Sequence, residues 1–168
     1  MPDLFSVRRA TVADVAVIAG HRAGMFGDMG QLPQPLYQPL VAATTRYLEA
    51  AIPREEYVAW LAAPQDDPGR VVAGAGVQVR SVLPHPIGPK LAKGRQGIVL
   101  NVFTERAWRR RGLARLLMDH VLRWARTSGL DTLVLHASDD GRPLSEELGF
   151  VPTNEMRFTG DLRAVTKK

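Results

Sequence analysis

Apolar and polar positions follow two rhythms along the chain. Phe5-Ser6-Val7-Arg8 alternates with a period of two, which predicts a half-buried strand. Val15, Ile18, Ala19 and the stem of Arg22 then recur near helical spacing. Thr11 or Asp14 can cap such a helix, which should run to about Met25. Gly24–Gly30 reads as a glycine-rich link, and Leu32–Pro39, with three prolines, continues it. A second helix over about Leu40–Ala51 should stop at Pro53. Tyr57–Ala62 (YVAWLA) reads as a strand between Pro53 and the turn cluster Pro64–Gly69. Arg70–Val82 reads as its hairpin partner. Gly74 and Gly76 lie inside that partner strand. They lack the third glycine and following helix of a dinucleotide-binding turn, so they are read as easing a bulge or a close approach.

Leu83–Gln96 is a proline-, glycine- and lysine-bearing loop leading into the stretch on which the chain turns, VLNVFTERAWRRRGLARLLM from Val99 to Met118. A strand (Val99–Thr104) passes through the polar turn Glu105–Trp108 into Arg109-Arg110-Arg111-Gly112-Leu113-Ala114, which opens a helix. Leu113, Leu116, Leu117, His120, Val121, Trp124 and Ala125 share one face of it. Arg115, Asp119, Arg123 and Arg126 share the other, as expected of a surface helix packed on a sheet. Gly129 ends the helix. Thr132–His136 completes a strand–helix–strand unit, which should make two parallel neighbours. A short helix, Gly141–Leu148, is expected to be capped by Asp139 or Asp140. Strands should follow at Gly149–Val151 and Glu155–Leu162. A strand that delivers a basic, glycine-containing turn to a helix N-terminus makes an anion site. The first helical N–H groups have no intrahelical acceptor, and the helix dipole adds positive charge there.

Composition narrows the class. A chain of 168 residues suits one domain spanning residues 1–168. Hydrophobic residues make up 45% and charged residues 23%, as in ordinary globular proteins. No apolar run approaches the ~18 residues of a membrane span. The N-terminus has no signal-peptide core, and the absence of cysteine excludes disulfides and protein thiolate chemistry. A cytoplasmic location fits these features. The net charge of +5 admits a basic nucleic-acid-binding module. No interleaved aromatics or DNA-binding motif accompany the charge, so a pocket for an anionic small molecule is the better reading.

Arg109-x-x-Gly112-x-Ala114 after a strand resembles the R/Q-x-x-G-x-G/A motif of the GNAT N-acetyltransferases. Gly141–Phe150 (GRPLSEELGF) resembles their L-Y-E-x-x-G-F ending, with Leu144, Glu146, Gly149 and Phe150 matching. The resemblance implies an α/β fold: a mixed, mostly antiparallel twisted sheet with a splayed central parallel strand pair, flanked by about four helices. It implies acetyl-CoA as co-substrate, no metal, and a small-molecule or peptide amine as acceptor. It places the pyrophosphate on Arg109, Arg110, Arg111, Gly112, Leu113 and Ala114, and the pantetheine arm along Val102, Phe103 and Thr104. Ser138, where many members carry Asn, and Arg142 would also contact the cofactor. The family's tyrosine acid falls at Ser145, and its frequent strand carboxylate at Asn101. Tyr37 is an alternative proton donor, and Asp28, Glu105 and His136 are alternative bases. Met25, Phe26, Asp28 and Met29 would line the acceptor side, with Asp28 pairing a cationic amine. Family members are often dimers, so a homodimer is an expectation too. The departures at Ser138 and Ser145 support a second reading, a GNAT-like domain that binds acyl-CoA with little turnover.

Overall fold

A computed structural model describes residues 4–163. In chain order it comprises β1 (Phe5–Arg9), α1 (Val15–Asp28), α2 (Tyr37–Ala51), β2 (Tyr57–Pro64), β3 (Ala73–Ser81), β4 (Pro86–Ile87), β5 (Lys90–Leu91), β6 (Arg95–Thr104), α3 (Leu113–Thr127), β7 (Thr132–Leu135) and α4 (Arg142–Glu147). Five strands form one sheet in the order β1-β2-β3-β6-β7, while β4 and β5 pair by themselves. All neighbours in the larger sheet are antiparallel except β6 and β7, which are parallel. This is the mixed sheet the resemblance implied. Contacts divide the chain after His136, so the sheet with α1–α3 forms one unit and the segment from Ala137, with α4, a second.

In the first unit, strand alternation assigns two faces. Tyr57, Ala59 and Leu61 pack with Val15 and Ile18 of α1 and with Leu48 and Ala51 of α2. Trp60, one residue out of phase, meets Trp124 of α3 edge-on at 5.6 Å. Leu113, Leu117, Met118 and Val121 are the buried residues of α3; three of them lie on the apolar face read from sequence, Met118 does not, and Leu116, His120, Trp124 and Ala125 of that face are half-buried. Thr11 opens the first helical region with a capping box. Its side chain accepts from the Ala13 N–H, and the Asp14 carboxylate accepts from the Thr11 N–H at 2.8 Å. Arg8 grips the same carboxylate through two bonds of 2.8 and 2.7 Å. Asp131 ties the long loop before β6 to the start of β7 by accepting from the backbone N–H groups of Lys93, Gly94 and Arg95.

Several boundaries differ from the pattern reading. The supposed link Gly24–Gly30 is largely helix, because α1 continues to Asp28. Glycine costs about 1 kcal/mol in a helix. Here the Phe103 ring lies against Gly24, and tertiary packing overrides propensity. The second helix starts at Tyr37 rather than Leu40, after a 3-10 turn over Gln34–Leu36. Pro39 is tolerated because its missing N–H falls in the first turn. No side-chain cap from Asp139 or Asp140 forms at α4; instead, the Ser138 hydroxyl accepts from the Gly141 N–H at 3.1 Å. The strands expected at Gly149–Val151 and Glu155–Leu162 are absent among the described residues. Alternation marks which face of a segment could be buried, but a strand also needs a partner for its ladder. Met156, Phe158 and Leu162 are exposed.

Candidate active site

The site begins with an irregularity in β6. Leu100 pairs with Gly76 and Phe103 with Gly74, so Asn101 and Val102 together oppose Ala75. Asn101 takes a left-handed backbone, φ 58°, a conformation asparagine tolerates better than most residues. The result is a β-bulge, which bends a strand and increases its twist. The parallel pairing with β7 covers only Gln96–Val99. From Leu100 to Thr104, no described strand pairs along the edge turned away from β3. That edge is the splay: a row of backbone donors and acceptors open to an extended ligand.

The bulge is held from beneath. Asn101 is buried, and its Nδ2 donates to the Tyr57 hydroxyl at 2.8 Å. Its Oδ1 accepts from Arg22 Nη1 at 2.7 Å. Tyr57 lies on β2, two strands away, and reaches Asn101 by crossing Gly76 of β3. A Cβ at Gly76 would stand 2.0 Å from the Tyr57 hydroxyl oxygen. The glycine that failed as a nucleotide motif therefore makes a close approach possible. Burial pushes the Tyr57 hydroxyl up to about 12, against relief from the Asn101 hydrogen bond, so it stays protonated. His21, Tyr57 and Asn101 line a cavity of about 10 Å³. Burial lowers the His21 pKa, opposed by the negative charge of Glu105, so its imidazole is neutral at pH 7.

Downstream of β6 the chain turns through a 3-10 segment, Arg106–Trp108. Trp108 anchors it by an edge contact with Phe5, and the Arg111 guanidinium lies 4.9 Å from the Trp108 ring centre. Arg110 and Gly112 both have positive φ, and α3 starts at Leu113 with no side-chain cap. The first helical bond runs from the Leu116 N–H to the Gly112 carbonyl at 3.0 Å. The N–H groups of Gly112, Leu113 and Ala114 have no protein acceptor among the described residues. Gly112 has φ 77° and open space where a Cβ would stand, so a side chain there would project into the mouth of this turn.

Arg109 is committed differently from the sequence expectation. Its Nε donates to the Thr104 carbonyl at 2.9 Å, its guanidinium lies over the Phe103 ring, and its Nη2 pairs with Asp28. Arg106 also approaches Asp28, at 3.4 Å. The Asp28 carboxylate is held below the usual range chiefly by the Arg109 hydrogen bond. It thus neutralises the turn, rather than standing free for a cationic amine. Glu105, another base candidate, accepts from both Arg70 nitrogens at 3.0 and 2.6 Å. Met25 and Phe26 lie in α1 and Met29 caps its C-terminus, while Tyr37 is an exposed residue of the first turn of α2. Val102 is exposed, whereas Phe103 and Thr104 are half-buried.

The remaining candidates belong to the second unit, apart from His136, which is exposed just past β7. Ser138 is exposed, and Arg142 Nε pairs with Glu146 at 2.8 Å. The Ser145 hydroxyl donates to the Gly141 carbonyl at 3.0 Å, the back-bond a helical serine often makes. The pattern reading missed Arg22 as a polar residue, and missed His21 and Tyr57 altogether. Each sits in an apolar run; the crossing at Gly76 brings Tyr57 to the bulge, and the packing of α1 brings Arg22 and His21. Among the described residues, no cluster suits a metal ion, and no helix is long and apolar enough to cross a membrane.

A splayed parallel pair, a bulged central strand and a basic turn into a helix together match the acetyltransferase fold that the resemblance implied. The chain belongs to the acetyltransferase (GNAT) family, whose family model matches residues 28–150. Among solved structures it is similar to a GCN5-related N-acetyltransferase from Ralstonia eutropha JMP134, with 26% identity and a TM-score of 0.80 over 92% of this chain and 97% of that one. It is also similar to a predicted acetyltransferase from Clostridium acetobutylicum, determined with acetyl-CoA, at 24% identity and TM-score 0.78, over 93% and 96% of the two chains. An aminoglycoside acetyltransferase from an uncultured soil metagenomic sample shares the fold at 17% identity and TM-score 0.64, over 94% and 98%. A search of curated proteins gave no match.

Proposed function

We propose that the chain acts as a single acetyltransferase domain that moves the acetyl group of acetyl-CoA to a primary amine of a small molecule or peptide, both bound at once. One observation carries this reading: the unpartnered N–H groups of Gly112, Leu113 and Ala114 stand next to the open edge Leu100–Thr104 of the same strand–turn–helix unit. The turn suits a diphosphate and the edge suits an extended, amide-bearing arm. Bound acetyl-CoA would supply a thioester whose C–S bond breaks as the amine nitrogen bonds to the acetyl carbon.

The chain's residues hold, orient and donate. Val102, Phe103 and Thr104 offer backbone groups to the arm, and a backbone N–H at the bulge is the donor suited to the carbonyl oxygen as charge develops there. Asn101 is a positioning residue: its amide is not a base, and both its ends are engaged. Arg110 and Arg111, exposed beside the turn, add charge for the phosphates. Arg109 braces the turn through Thr104 and Asp28. Roles for Ser138, Arg142 and Ser145 rest on the family resemblance. Ser145, an alcohol whose proton is already engaged by the Gly141 carbonyl, is a weak acid, which a thiolate leaving group with a pKa of about 8.5 tolerates. With Asp28 and Glu105 held by arginines, the amine's proton passes to solvent or to His136, exposed just past β7, and positioning supplies most of the rate. A soluble homodimer in the cytoplasm is the setting this reading expects.

The test is direct. Titration should show saturable acetyl-CoA binding, and free thiol should appear only when a suitable amine is added. Binding without thiol release from amino acids, polyamines, aminoglycosides or peptides would favour the acyl-CoA-binding domain with little turnover.

A further inference from the structure

Arginines in this chain mostly have carboxylate partners or lie in water. Arg8 pairs with Asp14, Arg9 with Glu55, Arg70 with Glu105, Arg106 and Arg109 with Asp28, and Arg142 with Glu146. Half-buried Arg95 aims its guanidinium at the Ser128 carbonyl, at the C-terminal end of α3, where the helix dipole favours a cation. Arg22 is the exception. It is half-buried on α1, yet among the described residues it has no carboxylate partner. Its contacts are neutral: the Asn101 amide oxygen at 2.7 Å and the Phe26 ring, whose centre lies 5.0 Å from the guanidinium carbon.

Partly burying a guanidinium costs solvation, and proteins normally offset it with an anion. Asn101 occupies a single N–H, whereas the planar fork carries five donors suited to bidentate grip on a carboxylate or phosphate. The face of the Phe26 ring steadies the guanidinium without neutralising its charge. Its position gives the remaining donors a use. Arg22 touches the bulge residue itself, so an anion on its far side would lie a short chain's length from the open edge of β6.

Resting on the acetyl-transfer reading above, we propose that the acceptor is an amine that also carries an anionic group, and that Arg22 binds that group. A short linker between amine and anion fits this placement, as in an amino acid or a phosphorylated amino sugar. Asp28, expected from sequence to read the amine's positive charge, is occupied by Arg109 and Arg106. Recognition therefore falls on the acceptor's negative end.

The experiment uses matched pairs: an α-amino acid against its carboxamide, and a phosphorylated amino sugar against its unphosphorylated parent. Thiol release gives kcat/KM for each, and calorimetric titration of the same compounds into CoA-saturated protein gives binding without turnover. The wild type should favour the anionic member of one pair by about tenfold or more, the range expected of a charge-assisted bidentate contact. The favoured pair distinguishes carboxylate from phosphate. Arg22→Gln should erase the preference while the KM for acetyl-CoA holds, and Arg22→Lys should keep part of it. Equal handling of both members of both pairs would overturn the proposal. So would an Arg22→Gln loss that falls equally on neutral and anionic members, as a purely structural role would produce. Absence of acetyl-CoA binding contradicts the acetyl-transfer reading instead. The titrations, repeated on wild type and Arg22→Gln without CoA, then decide the anion site alone: preference present and lost in the variant supports it, no preference refutes it.

Discussion

A tyrosine on one strand, a glycine on the next and an asparagine on the third form a lever under the bulge. Tyr57→Phe deletes only the hydroxyl that accepts the Asn101 hydrogen bond. A buried amide donor then loses its partner, so the variant should unfold with about 1–3 kcal/mol less stability in urea. The bulge would lose one of its two tethers, so kcat should fall more than the KM for acetyl-CoA changes. Wild-type stability and kcat together would show that the lever is idle. Little of this was readable from residue types. Asn101 was flagged because of where it sits in a family motif, and Tyr57 only as one apolar residue of YVAWLA. Gly76 was read correctly as easing a bulge or a close approach, but no pattern says which side chain needs the room. Asp28 shows what residue type alone leaves out. An acidic residue in a supposed loop suggested an amine partner, while the fold places it at the end of α1 beside two arginines more than 75 positions away.

Elements were easier to read where one periodicity ran long enough. The helix α3, the strand before it and the parallel strand after it all formed, although β6 begins at Arg95, inside the stretch read as a loop, and β7 is only half-buried. Boundaries failed where packing outweighed local preference, as at Gly24 in α1, and where a pattern lacked a partner, as in Glu155–Leu162. The entry to α1 carries its own prediction. Arg8 holds the Asp14 carboxylate below its ordinary range chiefly by hydrogen bonding, with the Thr11 N–H and charge attraction assisting and burial opposing. A carboxylate with a lowered folded pKa adds stability above its unfolded value near ~3.9, and that stability is lost as pH falls through the lower, folded value. Asp14→Asn should therefore cost stability at pH 7 and flatten the acid limb of the stability profile. An unchanged acid limb would contradict the role given to this cap.

The molecule as a whole carries a net charge of +5, with Arg106, Arg109, Arg110, Arg111 and Arg115 concentrated around one turn. Such a cluster could serve a polyanion or a single diphosphate, and the two make different predictions. Two of these cations are already paired with Asp28, and the turn adds the backbone N–H groups of an uncapped helix start. Nucleic-acid binding would be steeply salt-dependent across many contacts and insensitive to one glycine. A diphosphate cradle would fail when an anionic side chain replaces that one glycine. The decisive measurement is calorimetric titration of acetyl-CoA into wild type, Gly112→Asn and Gly112→Glu, each checked for folding by circular dichroism. Asparagine tolerates positive φ and adds no charge, so it should keep most of the affinity. Glutamate puts a negative side chain where the phosphates would lie, and the account predicts at least ~100-fold weaker binding in a folded protein. Wild-type affinity in folded Gly112→Glu would contradict it.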